Sequence, residues 1–228
     1  MPPLDHIETW IFDLDNTLYP ASCRLFDQVD RRMGTFICEF LKLEPAQARD
    51  LQKRYLKEFG TTMRGLMVNH GCPPERFLEA VHAIDYSPVQ PDGRLEAALE
   101  RLPGRKLIFT NGSIAHAERV MDRLGVNRHF SGIFDIVAAG YWPKPEIAAY
   151  EGLIRAHAFE PRRAALIEDL PRNLVPAAAL GMTTVLVRTD SEWAQEAAEG
   201  DHIHHVTDDL SAWLAEAADS IVPAPAAD

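Results

Sequence analysis

The chain has 228 residues, a formal net charge of −11 and a 46% share of hydrophobic residues, enough for one sizeable core or for a core with a smaller companion domain. Its acidity would repel a phosphate backbone, so nucleic acid is not an expected partner, and a small anionic substrate would need a local cation. No stretch approaches the roughly 18 consecutive apolar residues of a membrane span, and Met1-Pro2-Pro3-Leu4-Asp5 lacks the basic and apolar regions of a signal peptide, so no membrane association and a cytoplasmic location are expected.

The first element is a strand-like run from Ile7 to Phe12, closed by Asp13-Leu14-Asp15-Asn16-Thr17. Two carboxylates at the end of a buried strand repel each other in a low-dielectric cleft unless a cation or a shared proton relieves them. A divalent-metal site is one reading of Asp13 and Asp15, and an acid-capped turn is the other. Helical patterns follow at Leu25 to Leu41, Ala46 to Phe59 and Glu75 to Ile84, broken by Gly60, Gly71-Cys72-Pro73-Pro74 and Ser87-Pro88. About 90 residues separate the first strand from the next, far more than an α/β crossover requires. The stretch 21–86 is therefore expected to be an all-helical cap over the strand ends, with 1–20 and 87–221 forming the core and 222–228 a frayed tail. Cys23, Cys38 and Cys72 form no CxxC pair and are expected to be reduced, mostly buried thiols.

Further strands are expected at Lys106 to Phe109, Phe134 to Ala138, Ala164 to Ile167 and Thr183 to Val187. They alternate with helices at Ser113 to Leu124, Glu146 to Ala158 and Arg172 to Leu180. Ser113 reads as an N-cap, and Gly125 and Gly181 as helix stops. This alternation predicts an α/β fold, a Rossmann-like parallel sheet covered on both faces, with its site at the carboxyl ends of the strands. Three more segments fall there. Thr110-Asn111-Gly112-Ser113 joins a strand end to a helix start, which suits either a phosphoryl group or an ordinary capped turn. Lys144, between Pro143 and Pro145, is a positionally restricted cation or a residue of a surface turn. Glu168-Asp169 ends another apolar strand and would supply further metal ligands, unless Asp169 is only a helix N-cap. His202, His204 and His205 also invite a metal reading, but short histidine clusters are more often solvated or hydrogen-bonded surface.

The ordered set DLDNT, TNG, PKPE and IED resembles the haloacid dehalogenase-like hydrolase superfamily over nearly the whole chain. The resemblance implies that Asp13 is a nucleophile and Asp15 a general acid/base, and that the helical insertion is a C1-type cap. Carbon-attacking dehalogenases of the superfamily usually lack the second aspartate, so Asp15 favours phosphoryl transfer. The implied mechanism forms an aspartyl-phosphate on Asp13, with Asp15 protonating the leaving alkoxide and then taking a proton from water. Mg²⁺ would be held by the Asp13 carboxylate, the Asp15 backbone carbonyl and the Asp169 carboxylate, with Glu168 a further candidate ligand. Thr110 and the Asn111 amide would bind the transferring oxygens, and Lys144 would neutralise charge between nucleophile and phosphate. Leu170 stands where many relatives carry Ser, which removes one hydrogen bond near the metal.

Within the superfamily, residues 12–20 (FDLDNTLYP), 60–66 (GTTMRGL), 82–86 (HAIDY) and PKPE most resemble the pyrimidine 5′-nucleotidase group. That implies a small phosphorylated metabolite as partner, a nucleoside monophosphate such as UMP or CMP. Arg64 and Tyr86 would touch base or ribose, or else belong to surface or core. A phosphoglycolate or sugar-phosphate phosphatase, or a phosphomutase, would share the chemistry. A phosphoryl-accepting signalling receiver also combines acids, a Thr and a Lys, but the insertion and Asp15 stand against it. Cap hinges are expected near Tyr19-Pro20 and Ser87-Pro88.

Overall fold

In the computed structural model, residues 3–190 and 199–221 are described; the expected frayed tail at 222–228 lies outside them. Among these residues a parallel sheet is built from β1 (Thr9–Phe12), β2 (Arg105–Phe109), β3 (Gly132–Phe134), β4 (Ala164–Glu168), β5 (Thr183–Val187) and β6 (His205–Thr207), in the order β3-β2-β1-β4-β5-β6. The strand order reverses at β1, which is the position where open α/β sheets bind ligands. Register sharpens this, since Phe12 pairs with Ile108 on one side and Ile167 on the other. Asp13 thus emerges level with the ends of both neighbours, and its N–H donates to the Ile167 carbonyl at 2.9 Å.

The alternation of β1 divides the core between two faces. Trp10 and Phe12 pack with Leu95, Val120 and Leu214, from α5 (Gly93–Arg101), α6 (Ile114–Leu124) and α9 (Leu210–Ser220). Ile11 packs with Tyr150, Leu153 and Leu174, from α7 (Ile147–His157) and α8 (Pro171–Ala179). Ser113 caps α6 by accepting from the His116 N–H, and Gly125 ends it at φ 79°, both as the sequence predicts.

Between β1 and β2 lie α1 (Leu25–Leu41), α2 (Pro45–Phe59), α3 (Thr62–His70) and α4 (Pro74–Val81). Their apolar faces meet in a separate cluster that includes Val29, Ile37, Tyr55, Leu66, Phe77 and Val81. α3 was not expected, because its apolar stripe is short. Thr61 starts it by accepting from the Arg64 N–H, and Gly65 lets it lie against α2: a Cβ there would stand 2.3 Å from Tyr55 Cγ.

Three expectations are corrected. The strand predicted at Phe134 to Ala138 ends instead at Phe134. The Asp135 carboxylate accepts the N–H groups of Ile114 and Ala138, which turns the chain out of the sheet. β6 was missed because it is a three-residue edge strand beginning at a histidine. Of the free cysteines only Cys72 is buried, while Cys23 and Cys38 are half-buried. Among the described residues, no helix is long and apolar enough to cross a membrane.

Candidate active site

The ends of β1, β2 and β4 bring together Asp13, Thr110, Glu168 and Asp169, all buried, and the loop after β3 adds the buried Lys144. Lys144 Nζ donates to Asp13 Oδ1 at 2.6 Å, to Glu168 Oε2 at 2.6 Å and to the Phe109 carbonyl at 2.9 Å, so all three of its protons are used. Its backbone is equally fixed. Asn111 accepts the Lys144 N–H at 2.8 Å and donates to the Lys144 carbonyl at 3.2 Å, which spends the Asn111 carboxamide on holding the lysine.

The electrostatics follow from three carboxylates facing one ammonium. Burial, reinforced by Glu168 and opposed by Lys144, pushes the Asp13 carboxyl up to about 7. Burial, with Glu168 and Asp13 alongside, also drives Asp169 well above the ordinary carboxylate range. Burial alone would lower the Lys144 ammonium, but Asp13 and Glu168 reverse this and hold it above its ordinary value. Carboxylate oxygens of Asp13, Glu168 and Asp169 all lie within 4.8 Å of one another. An all-oxygen donor set with more negative charge than one lysine can balance fits a hard divalent cation such as Mg²⁺. Both Glu168 oxygens are already engaged, one by Lys144 and one by the Leu170 N–H at 3.2 Å.

Asp15 lies two residues on but in different surroundings. Asn16 adopts a left-handed backbone at φ 59°, which asparagine tolerates, and the chain turns there. Asp15 Oδ1 accepts from the Tyr19 hydroxyl at 2.6 Å and from His116 Nε2 at 2.9 Å. Burial would raise this carboxyl, but the His116 ring and the bonds from His116 and Tyr19 outweigh it and leave Asp15 below its ordinary value. Thr17 donates to Asp13 Oδ2 at 3.2 Å, and Thr110 Oγ1 accepts the Gly112 N–H at 2.9 Å. The two aspartates of one strand end are thus set apart, one raised and one lowered.

A cavity lined by these residues is also lined from the helical insertion, by apolar Val29, Met63, Phe77 and Leu78 and by polar Asp30, Arg49 and Gln52. Arg49 pairs with Asp30, and Gln52 Nε2 donates to Asp30 Oδ1 at 2.6 Å. The Gln52 Oε1 is buried with no hydrogen-bond partner. Arg64 stands elsewhere: it donates to the Tyr141 carbonyl at 3.1 Å and lies 3.7 Å over the Trp142 ring, tying α3 to the loop that carries Lys144. Tyr86 bonds His116. The histidine cluster is structural, with one correction to its expected surface placement. His204 Nδ1 accepts the Thr184 N–H at 3.0 Å, whereas His205 is buried and packs edge-on against Trp213.

Sequence reasoning missed His116, His82 and Tyr19, which surround Asp15. The one available signal was His116 at the position that continues the apolar stripe of Val120 and Leu124 by one turn.

A family model described as haloacid dehalogenase-like hydrolase matches residues 7–181. Phosphate metabolism protein 8 of Saccharomyces cerevisiae is 30% identical over 138 residues, 55% of this chain and 42% of that protein. The match therefore spans less than half of that relative's length. A haloacid dehalogenase-like family hydrolase of Xanthomonas campestris superposes with a TM-score of 0.59 at 16% identity, over 94% of this chain and 92% of the other. The HAD-hydrolase YfnB of Bacillus subtilis, bound to magnesium, does so at 0.59 and 14%, over 91% and 96%.

Proposed function

The chain belongs to the haloacid dehalogenase-like hydrolases, and on that premise we propose that it is a Mg²⁺-dependent phosphomonoesterase acting on pyrimidine nucleoside monophosphates. The observation that carries the chemistry is the division of labour between the two aspartates. Asp13 faces Lys144 across 2.6 Å, while Asp15 is held apart by Tyr19 and His116. A pair of carboxyl groups in different environments suits a nucleophile and a general acid/base; the order here, Asp13 raised and Asp15 lowered, is one that a cation beside Asp13 and an anionic substrate beside Asp15 would reverse.

Asp13 attacks phosphorus and displaces the nucleoside 5′-oxygen, forming an aspartyl-phosphate. Asp15, which takes up a proton as the anionic substrate arrives beside it, delivers that proton to the oxygen, then withdraws one from the water that releases phosphate. Lys144 balances charge as anionic nucleophile and phosphoryl group meet, and Thr110 with the Asn111 amide accommodates the phosphoryl oxygens. Asp13, the Asp15 carbonyl and Asp169, with Glu168 beside them, are the residues to hold Mg²⁺. When bound, the cation supplies the positive charge that keeps Asp13 ionised beside an anionic substrate.

One feature supports a nucleotide, and a second supports phosphate chemistry without choosing a substrate. The cavity lining combines apolar Val29, Met63, Phe77 and Leu78 with polar Asp30, Arg49 and Gln52, a mixture that suits a heteroaromatic group with hydrogen-bonding edges better than it suits glycolate or a sugar. The name of the yeast relative also points to phosphate metabolism. The test is phosphate release from a panel of nucleoside monophosphates, phosphoglycolate and sugar phosphates, with Mg²⁺ and with EDTA. Preference for UMP and CMP, lost in EDTA, is expected. Preference elsewhere would reassign the substrate, and no metal-dependent release would overturn the phosphatase reading.

A further inference from the structure

His116 lies on α6, outside the acidic cluster, and neither it nor Tyr86 lines the cavity. Its side chain is fully buried, yet both ring nitrogens are engaged. Nε2 meets Asp15 Oδ1 at 2.9 Å and Nδ1 meets the Tyr86 hydroxyl at 2.9 Å. A carboxylate only accepts, so Nε2 is the donor to Asp15, and Nδ1 bonds the Tyr86 hydroxyl, which also donates to the His82 carbonyl at 3.2 Å. A donor whose second nitrogen is also bonded in this way is held in its ring orientation.

The ring plane is fixed as well. His82, at the end of α4, stacks on His116 with centroids 4.3 Å apart and 8° between planes. The His82 ring is itself held by Ser113 Oγ at 3.0 Å from Nδ1. Burial and the neighbouring His116 push His82 down to about 3, so it packs on His116 as an uncharged ring. His82 also lines the cavity. A run of contacts therefore leads from the last turn of the cap, through His82 and His116, to one oxygen of Asp15.

We propose that His116 is a positioning residue for Asp15, fixing one carboxylate oxygen through Nε2 so that the other is presented to the leaving-group oxygen and then to water, with Tyr86 and His82 fixing the imidazole. The inference rests on the reading of Asp15 as the general acid/base. A polar network around a single carboxylate, with His116 itself off the cavity lining, matches the need of a general acid to be aimed before substrate arrives.

The test compares wild type, His116→Leu, His116→Gln, Asp15→Asn and the double variant Asp15→Asn/His116→Leu, using UMP with Mg²⁺ and following kcat and KM separately. Gln keeps an N–H donor at the position of Nε2, whereas Leu keeps bulk and loses the donor. His116→Leu should lower kcat roughly 10- to 100-fold, part of the range general acid–base catalysis supplies, with KM within about twofold because the ring does not line the cavity. His116→Gln should recover kcat to within about fivefold of wild type. In the Asp15→Asn background, His116→Leu should cost almost nothing more, since residues acting as a unit are non-additive. A kcat of His116→Leu equal to wild type, or an equal fold-loss in both backgrounds, would overturn the inference and leave the phosphatase reading intact. A wild-type chain that releases no phosphate from any phosphomonoester would overturn that reading and this inference with it. Should His116→Leu fail to fold, Tyr86→Phe removes only the hydroxyl. It should lower kcat several-fold at constant KM, and an unchanged kcat would overturn the inference in the same way.

Discussion

Replacing Lys144 with Met removes the ammonium that the buried Asp13 and Glu168 carboxylates share while keeping most of the side-chain volume. Lys144, Asp13 and Glu168 have side chains only 2%, 9% and 1% exposed, so water cannot take over the lost interactions. Breaking a buried ion pair from one side costs about 3–5 kcal/mol, and two pairs share this ammonium, so the upper end applies. At about 2–4 °C per kcal/mol for a domain of this size, the melting temperature at pH 8 in EDTA should fall by roughly 10–20 °C. The loss should depend on pH. Asp13 already has a raised pKa, and without Lys144 its folded-state value moves higher still. Protonation of such groups favours the folded state, an effect fully present below the unfolded-state pKa near 4 and lost as pH rises through the folded value. The variant should therefore recover toward wild type at pH 5. Thermal unfolding followed by circular dichroism at pH 5 and pH 8 reads both effects. A melting temperature within about 2 °C of wild type at pH 8, or a gap that is no smaller at pH 5, would refute the charge balance described for this cluster.

Asp13→Asn should abolish turnover while leaving the unfolding transition in place, and turnover at the wild-type rate would remove Asp13 as nucleophile. In metal-free wild-type protein, raising Asp13 from 3.8 to about 7 makes its contribution to stability decline between those pH values, by about 4 kcal/mol at 1.36 kcal/mol per unit. A cation bound by the carboxylates should offset that decline, so Mg²⁺ should raise the melting temperature more at pH 7.5 than at pH 5. An equal shift at both would count against the acidic cluster as the binding site. Gly65→Ala would drive a Cβ into the Tyr55 ring and should cost about 1–3 kcal/mol, read as a lower midpoint in urea unfolding; an unchanged midpoint would show that α2 and α3 can separate freely.

The acidic strand ends were legible because they violate a pattern. Asp13, Glu168 and Asp169 interrupt apolar runs whose neighbours are fully buried, and carboxylates in such places need a physical reason. The alternation of strands and helices likewise gave the parallel sheet. Elements with weak internal signal were not legible. β3 and β6 have three residues each, too few for a period to emerge, and their positions depend on pairing with neighbours distant in sequence. Asn111 shows a different limit: its residue type suited the phosphoryl site, but its side chain clasps Lys144 33 residues away, a contact no local pattern encodes. The surroundings of Asp15 were hidden for the same reason, since His116, and His82 with Tyr86 from another segment, reach Asp15 and its near neighbour Tyr19 only through the fold.

The most direct test of the central claim is a rapid acid quench of wild-type protein during turnover of ³²P-labelled UMP with Mg²⁺, followed by mapping of the labelled peptide. A phosphoryl group on the peptide containing Asp13, released by hydroxylamine and absent in Asp13→Asn, is the predicted result. Phosphate release at full rate with no label on Asp13 at any quench time would contradict it, and would leave water rather than Asp13 as the attacking group.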